Sequence, residues 1–196
     1  MARGLTCGGR LRRALPWLLA ACALGWAAPA RAQADTREEY QVKAAFLFNF
    51  AKFIEWPDTA FSSARAPLVI CVTGRNPFGN ALTPAGFGKA VNGRPLQIWE
   101  TRDIRELRGC HILFISPSEK KRMTAILESV KGAPVVTVSE ADTFTQMGGM
   151  IHFLSSDDQV RFEINQDVGQ HAGIKFSSKL LSVAQAVQPA TVKGSQ

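Results

Sequence analysis

Hydrophobic and polar positions recur along this chain with two periods, and the change from one to the other marks the elements. The stretches "PLVICVT" (67–73), "PLQIWE" (95–100), "CHILFIS" (110–116) and "APVVTVS" (133–139) are short apolar or β-branched runs bounded by Gly, Pro or Ser, the pattern of strands. Between the last two, "PSEKKRMTAILESVKG" (117–132) carries Met123, Ile126, Leu127 and Val130 at helical spacing, opens on Pro and Ser, and stops at Gly132. Strand, helix, strand with nearly continuous apolar strands predicts a parallel sheet covered on both faces. "GGMIHFLSSDDQVRFEIN" (148–165) behaves differently: Arg161, Phe162, Glu163 and Ile164 alternate after a polar Ser-Ser-Asp-Asp turn, which predicts an antiparallel hairpin with one wet face. "SSKLLSVAQAV" (177–187) opens on serine caps and predicts a closing amphipathic helix. The predicted fold is therefore α/β, a single domain over residues 33–188 with a mainly parallel central sheet, flanking helices and a C-terminal antiparallel hairpin. Residues 189–196 read as a disordered tail.

The most aromatic stretch, "EYQVKAAFLFNFAKFIEWP" (39–57), predicts a helix from about Glu38 to Trp56 ended by Pro57. Val42, Ala45, Phe46, Asn49, Phe50, Phe53 and Ile54 form its apolar stripe, which Leu47, Phe48 and Ala51 widen. Gln41, Lys43, Lys52 and Glu55 are expected in water, and Phe46, Phe50 and Phe53 in the core. The apolar run from Ala44 to Ala51 is too short to span a bilayer and is bracketed by charges. A core helix is the expected role, with an aromatic binding face as the alternative.

The first 32 residues change the picture of charge and location. Arg3, Arg10, Arg12 and Arg13 precede the apolar run "ALPWLLAACALGWAA" (14–28), and "APARAQA" offers Ala-x-Ala sites ending at Ala30 or Ala32, the layout of a cleaved secretory signal. "LAAC" (19–22) resembles a lipobox that would leave a lipidated Cys22. The apolar "ALGWAAPA" after it speaks against a lipoprotein, so a protein free in the periplasm is the expectation and the lipoprotein its alternative. The segment holds five arginines and no acid, so its removal leaves 18 bases against 16 acids and lowers the net charge from +7 to +2. The densest basic run left is "EKKRM" (119–123), a solvated helix face, and nucleic acid is not an expected partner.

Cleavage also removes Cys7 and Cys22, leaving Cys71 and Cys110. An even pair in an oxidising compartment is a disulfide candidate, and two buried thiols are the alternative. The expectation is a bridge. Its weak point is register: if the two strands are parallel neighbours, Cys71 lies late in one and Cys110 at the start of the other.

Candidate chemistry is sparse. His111 and His152 lie in predicted strands and His171 in "GQHAG"; no G-x-S-x-G elbow is present, and Ser177 or Ser178 suits a helix cap better than a nucleophile. His111 and His152 could meet on neighbouring strands, but nothing supplies two further metal ligands. "TGRNPFGNAL" (73–82) follows the first strand and lacks both the P-loop Gly-Lys-Ser/Thr and the dinucleotide fingerprint. Because ligands bind at strand-end turns of α/β sheets, Gly74, Arg75 and Asn76 form the candidate ligand or partner turn, against an ordinary turn. No catalytic residue, metal or cofactor is expected.

The motifs "VKAAFLFNFAKFIEWP", "VNGRPLQI", "CHILFIS", "GGMIHFL" and "VRFEINQDVGQHAGIKFSSKLLSVA" occur in that order, and together they resemble the YfiR family of exported bacterial proteins over roughly residues 39–187. The resemblance implies a non-enzymatic periplasmic regulator. Its best-described members bind the periplasmic part of an inner-membrane diguanylate cyclase and hold it inactive, and an outer-membrane lipoprotein relieves that hold; less cyclic di-GMP then means less biofilm matrix. Some members carry a further cysteine pair near the "GGMIHFL" hairpin; this chain has none there, so redox control through that pair is not implied. The implied partners are an inner-membrane sensor or diguanylate cyclase and an outer-membrane lipoprotein, and a homodimer is a candidate assembly. The rival readings are a periplasmic small-molecule-binding sensor module, marked by a wet polar pocket at the strand-end turns, and an enzyme, marked by a converging His–nucleophile or metal constellation.

Overall fold

Two apolar faces of one sheet organise the molecule. The computed structural model describes residues 28–83, 90–156 and 159–188, and side chains from Thr36 onward, apart from those of 155, 156 and 188. Residues 1–27 of the expected signal peptide, the Asp157–Asp158 turn and the 189–196 tail lie outside what is described; the expected cleavage points, Ala30 and Ala32, fall on helical backbone. The chain divides after Thr36, and Arg37–Gln196 is one α/β domain.

In chain order the elements are α1 (Ala28–Phe53), β1 (Ile54–Glu55), β2 (Leu68–Thr73), β3 (Ala90–Val91), β4 (Arg94–Glu100), β5 (Ile112–Ile115), α2 (Met123–Val130), β6 (Val136–Ser139), β7 (Ile151–Ser156), β8 (Gln159–Asn165), α3 (Gln166–His171), β9 (Lys175–Phe176), α4 (Ser178–Val183) and β10 (Ala186–Gln188). Among the described residues the main sheet has eight strands in the order β10-β8-β7-β6-β5-β2-β4-β3, and β1 pairs with β9 in a separate ribbon. The pairs β10·β8, β6·β7, β5·β6, β2·β5 and β2·β4 are parallel; β7·β8 and β3·β4 are antiparallel. This is the expected architecture, with the hairpin β7–β8 continuing the parallel strands.

Alternation along the strands builds two cores. Leu68, Ile70, Val72, Ile112, Phe114, Val136 and Val138 face α1, where Leu47, Phe50 and Ala51 meet Phe153 and Phe162 of the hairpin. Val69, Cys71, Leu113, Ile115 and Val135 face α2, which lays Met123, Ile126, Leu127 and Val130 on them. Strands buried on both faces read as continuous apolar runs for this reason.

Three sequence expectations need correction. α1 ends at Phe53 and not at Trp56, because Ile54 and Glu55 pair with Phe176 and Lys175. The buried face of α1 is also rotated: Lys43, Ala44, Leu47, Phe48, Phe50 and Ala51 are buried, whereas Val42 and Phe53 are 45% and 37% exposed and Asn49 faces solvent. Lys43, expected in water, is only 1% exposed. Finally, the closing helix stops at Val183, and Ala186–Gln188 adds a strand parallel to β8. Its predicted serine cap is present, since Ser177 Oγ accepts from the Leu180 amide.

Candidate functional site

At the carboxyl edge of the parallel strands, charged and hydrogen-bonding groups from several segments come together. The candidate turn starts where β2 ends. Gly74 has φ +95°, and a Cβ there would lie 2.6 Å from Ser118 Oγ and 2.7 Å from Glu119 Cγ, so only glycine fits. The Arg75 amide donates to Ser118 Oγ at 2.9 Å, while the Arg75 side chain is exposed. Asn76 closes the turn from both ends: Oδ1 accepts from the Phe78 amide at 2.8 Å, an Asx-type turn, and Nδ2 donates to Glu100 at the end of β4, 2.6 Å away. A short 3-10 turn follows at Gly79–Ala81. The Arg75 amide and the Asn76 amide group thus hold the edge together.

Next along the edge, Ser116 caps the 3-10 turn Pro117–Arg122 that leads into α2. Glu119 is buried there and pairs with Arg122 at 2.9 Å, and Arg122 also donates to the Arg102 carbonyl. The charges of "EKKRM" are therefore only partly a solvated face: Lys120, Lys121 and Arg122 are exposed, Glu119 is not.

Beyond the end of β6 sits the cluster that the sequence did not announce. Lys43 of α1 forms an ion pair with Glu140 and a second with Glu39 at 2.6 Å. The Tyr40 hydroxyl donates to Glu140 at 2.5 Å, and burial, reinforced by Glu140, pushes the Tyr40 phenol above its usual range. Tyr40 also meets Phe78 edge-on at 5.6 Å. This fastens α1 to the ends of β2 and β6. A buried lysine persists because two carboxylates and the Tyr40 ring, 4.7 Å away, surround it.

The histidines are dispersed. His111 lies just before β5 and is bound to main chain at both ring nitrogens: Nδ1 accepts from the Val69 amide and Nε2 donates to the Ala60 carbonyl, each at 3.1 Å. His152 on β7 faces Glu163 of β8 at 3.2 Å, and Thr145 donates to the same carboxylate at 2.6 Å. His171 Nδ1 donates to the Asp167 carbonyl at 2.7 Å. β6 separates the strands of His111 and His152, so the two do not meet. Among the described residues no group of three His, Cys, Asp or Glu is arranged to hold a metal ion.

Cys71 and Cys110 are joined, with Cα atoms 5.8 Å apart. Their strands are parallel neighbours in the register Ile70↔Ile112, which would carry Cys110 past bridging range if it continued β5 in line. It does not: Cys110 ends the 3-10 turn Ile104–Gly109, leaves the line of the strand, and packs on the α2 face with Cys71.

A cavity of about 310 Å³ opens near the opposite, amino end of β6. Leu127, Val135, Met147, Met150 and Val168 line its apolar wall, and Asp167 and His171 stand among its polar lining.

A family model described as DUF4154, YfiR/HmsC-like, matches residues 40–185, from Tyr40 of the buried cluster to the start of β10. The chain belongs to the YfiR/HmsC-like family. Membership points to a periplasmic regulator in cyclic di-GMP signalling. No helix among the described residues is long and apolar enough to cross a membrane. Among solved structures, the chain is similar to a conserved domain protein from Vibrio cholerae O1 biovar El Tor at 10% identity and TM-score 0.43, covering 61% of this chain and 54% of that one. It is also similar to an ABC domain in complex with L-Trp from Streptococcus pneumonia, at 10% identity and TM-score 0.44, covering 61% and 55%. The chain spans about half the length of each.

Proposed function

We propose that this YfiR/HmsC-like protein is exported by a signal peptide of residues 1–32 and binds the periplasmic part of an inner-membrane diguanylate cyclase. Binding holds the cyclase inactive and lowers cyclic di-GMP and biofilm formation, and an outer-membrane lipoprotein is the releasing partner. The observation that carries this reading is the family match, which spans almost the whole described domain. From the periplasm such a protein never meets GTP or cyclic di-GMP. It acts only by preferring one conformation of its partner. Turning a population from 99:1 to 1:99 needs about 5.5 kcal/mol of preference, which an ordinary protein interface supplies. The carboxyl edge is the contact surface that the geometry favours. Arg75 projects there from a turn held by Ser118 and Glu100, a stiff platform for an acidic partner surface.

Deleting the gene should raise cyclic di-GMP and surface attachment, and a copy lacking residues 1–32 should fail to restore them. Full complementation by that copy would sink the periplasmic reading. A second reading, a small-molecule sensor module, is favoured by the 310 Å³ cavity beside β6. Its mark would be a rise in melting temperature with a small ligand, abolished by Met150→Trp, which fills the cavity.

A further inference from the structure

The first rung of the pairing between β2 and β5 is made by a side chain. His111 N donates to the Val69 carbonyl at 2.9 Å, as a parallel strand should. The return bond, however, runs from the Val69 amide to His111 Nδ1 at 3.1 Å. An imidazole nitrogen thus takes the place of a carbonyl oxygen. The other nitrogen, Nε2, faces the Ala60 carbonyl at 3.1 Å. A carbonyl only accepts and an amide only donates, so the ring is neutral with its proton on Nε2.

The same ring anchors the segment between β1 and β2. Phe61 stacks on it at 4.4 Å with the planes 18° apart, and the Arg94 guanidinium lies 3.6 Å above Phe61 on its other face. Arg94 Nη1 reaches the carbonyls of Ser63 and Ala66 at 2.9 and 3.1 Å. Trp56 sets its edge toward His111 and donates to the His111 carbonyl at 3.3 Å. Residues 57–66 are thus held by one imidazole, one guanidinium and one indole.

We propose that His111 is a pH-operated latch for residues 57–66, which stays closed while the imidazole is neutral and opens when it takes up a proton. A proton on Nδ1 turns an acceptor into a donor that points at the Val69 N–H. The bond is then replaced by repulsion. The charged groups around the ring do not offset this. Arg94 from β4 is a cation, and Asp58 and Arg65 on the segment itself are exposed. The imidazolium would gain contact with the Phe61 face, but Arg94 already occupies the opposite face of that ring. Burial, opposed by the Ala60 bond and aided by the Arg94 charge, holds the ring below its ordinary value of 6.5. Acid therefore favours the open form, in which the ring titrates normally. For a protein whose surroundings change pH, the latch would expose or withdraw the surface next to the β1–β9 ribbon, whatever partner sits there.

Nuclear magnetic resonance on the purified protein tests this between pH 7.5 and 5. The His111 ring should show the Nε2–H tautomer at pH 7.5. The exchange of the Ala60, Phe61, Ala66 and Val69 amides, corrected for intrinsic rates, should rise as the pH falls below the ordinary histidine value, by at most about tenfold one unit below it. His111→Gln should remove that rise, and His152→Gln and His171→Gln should keep it. Exchange that does not change with pH while His111 titrates would overturn the proposal on the parent protein alone, even if His111→Gln fails to fold. So would a rise that disappears with His152→Gln and survives His111→Gln.

Discussion

Lys43 shows how far residue type and periodicity can disagree. Tyr40, Lys43, Leu47, Phe50, Ala51 and Ile54 lie at helical spacing, and all except the half-buried Tyr40 are fully covered. The expected stripe left Lys43 out because its charge argued for water, yet it is buried. Glu140, ninety-seven positions away, is what reverses that argument, and no local pattern contains it. Removing one member of a buried pair is far costlier than replacing both by apolar residues. Glu140→Ala and Lys43→Met should therefore each cost about 3–5 kcal/mol, while replacing Lys43 and Glu140 together by apolar residues should come closer to the parent. Denaturant melts of the two single variants and the double variant check this, and a double variant no more stable than the singles would make the pairing ornamental. Phe50 was legible, because it satisfies both arguments. It touches Phe153 at 5.8 Å and Phe162 at 5.1 Å, and Phe50→Ala should cost about 3–5 kcal/mol by leaving a cavity. Phe53→Ala should cost much less, since Phe53 sits on the outward side where α1 gives way to β1. His111 sets the sign of a pH dependence. Its folded value is depressed, so its contribution is complete above pH 6.5 and is lost as pH falls from there through the folded value. Thermal melts of the parent should decline over that window, and those of His111→Gln should be flatter.

At the level of elements, the strands and α2 were readable because burial on both faces writes itself as apolar runs, and Gly132 closes the helix where expected. β1, β9 and β10 were not. Each has two or three residues, and each exists because a partner lies opposite: Ile54 faces Phe176, and Val187 faces Ile164. Such strands come from tertiary pairing and have no period of their own. The cysteine pair was legible as a pair, but its geometry depended on the 3-10 turn that lifts Cys110 out of line with β5. The bridge spans 39 positions, for which the chain-entropy model gives roughly 4 kcal/mol. Thiol titration of the denatured, unreduced protein should find no free thiol from Cys71 and Cys110. Two free thiols per chain would contradict the bridge, and with a bridge present, reduction should lower the denaturant midpoint.

At the scale of the whole molecule, the order of motifs pointed to the family before any contact was known, while the candidate site was only partly visible. Gly74, Arg75 and Asn76 stood out because strand-end turns are where α/β sheets meet ligands. Their neighbours Glu100, and Ser118 with Glu119, arrive from two other segments that the topology brings to one edge. If that edge is the docking platform, Arg75→Glu should weaken repression without changing the melting temperature, since the side chain is exposed. Gly74→Ala should instead destabilise the fold, because its Cβ would strike Ser118 and Glu119.

In the proposed function the protein acts from outside the inner membrane on a cyclase whose product forms inside. Spheroplasts of a strain lacking the gene, with the purified exported protein added to the medium, test it most directly through their cyclic di-GMP content. That content should fall on adding the parent protein and fall less with Arg75→Glu. An unchanged level with saturating folded protein would contradict the proposed function.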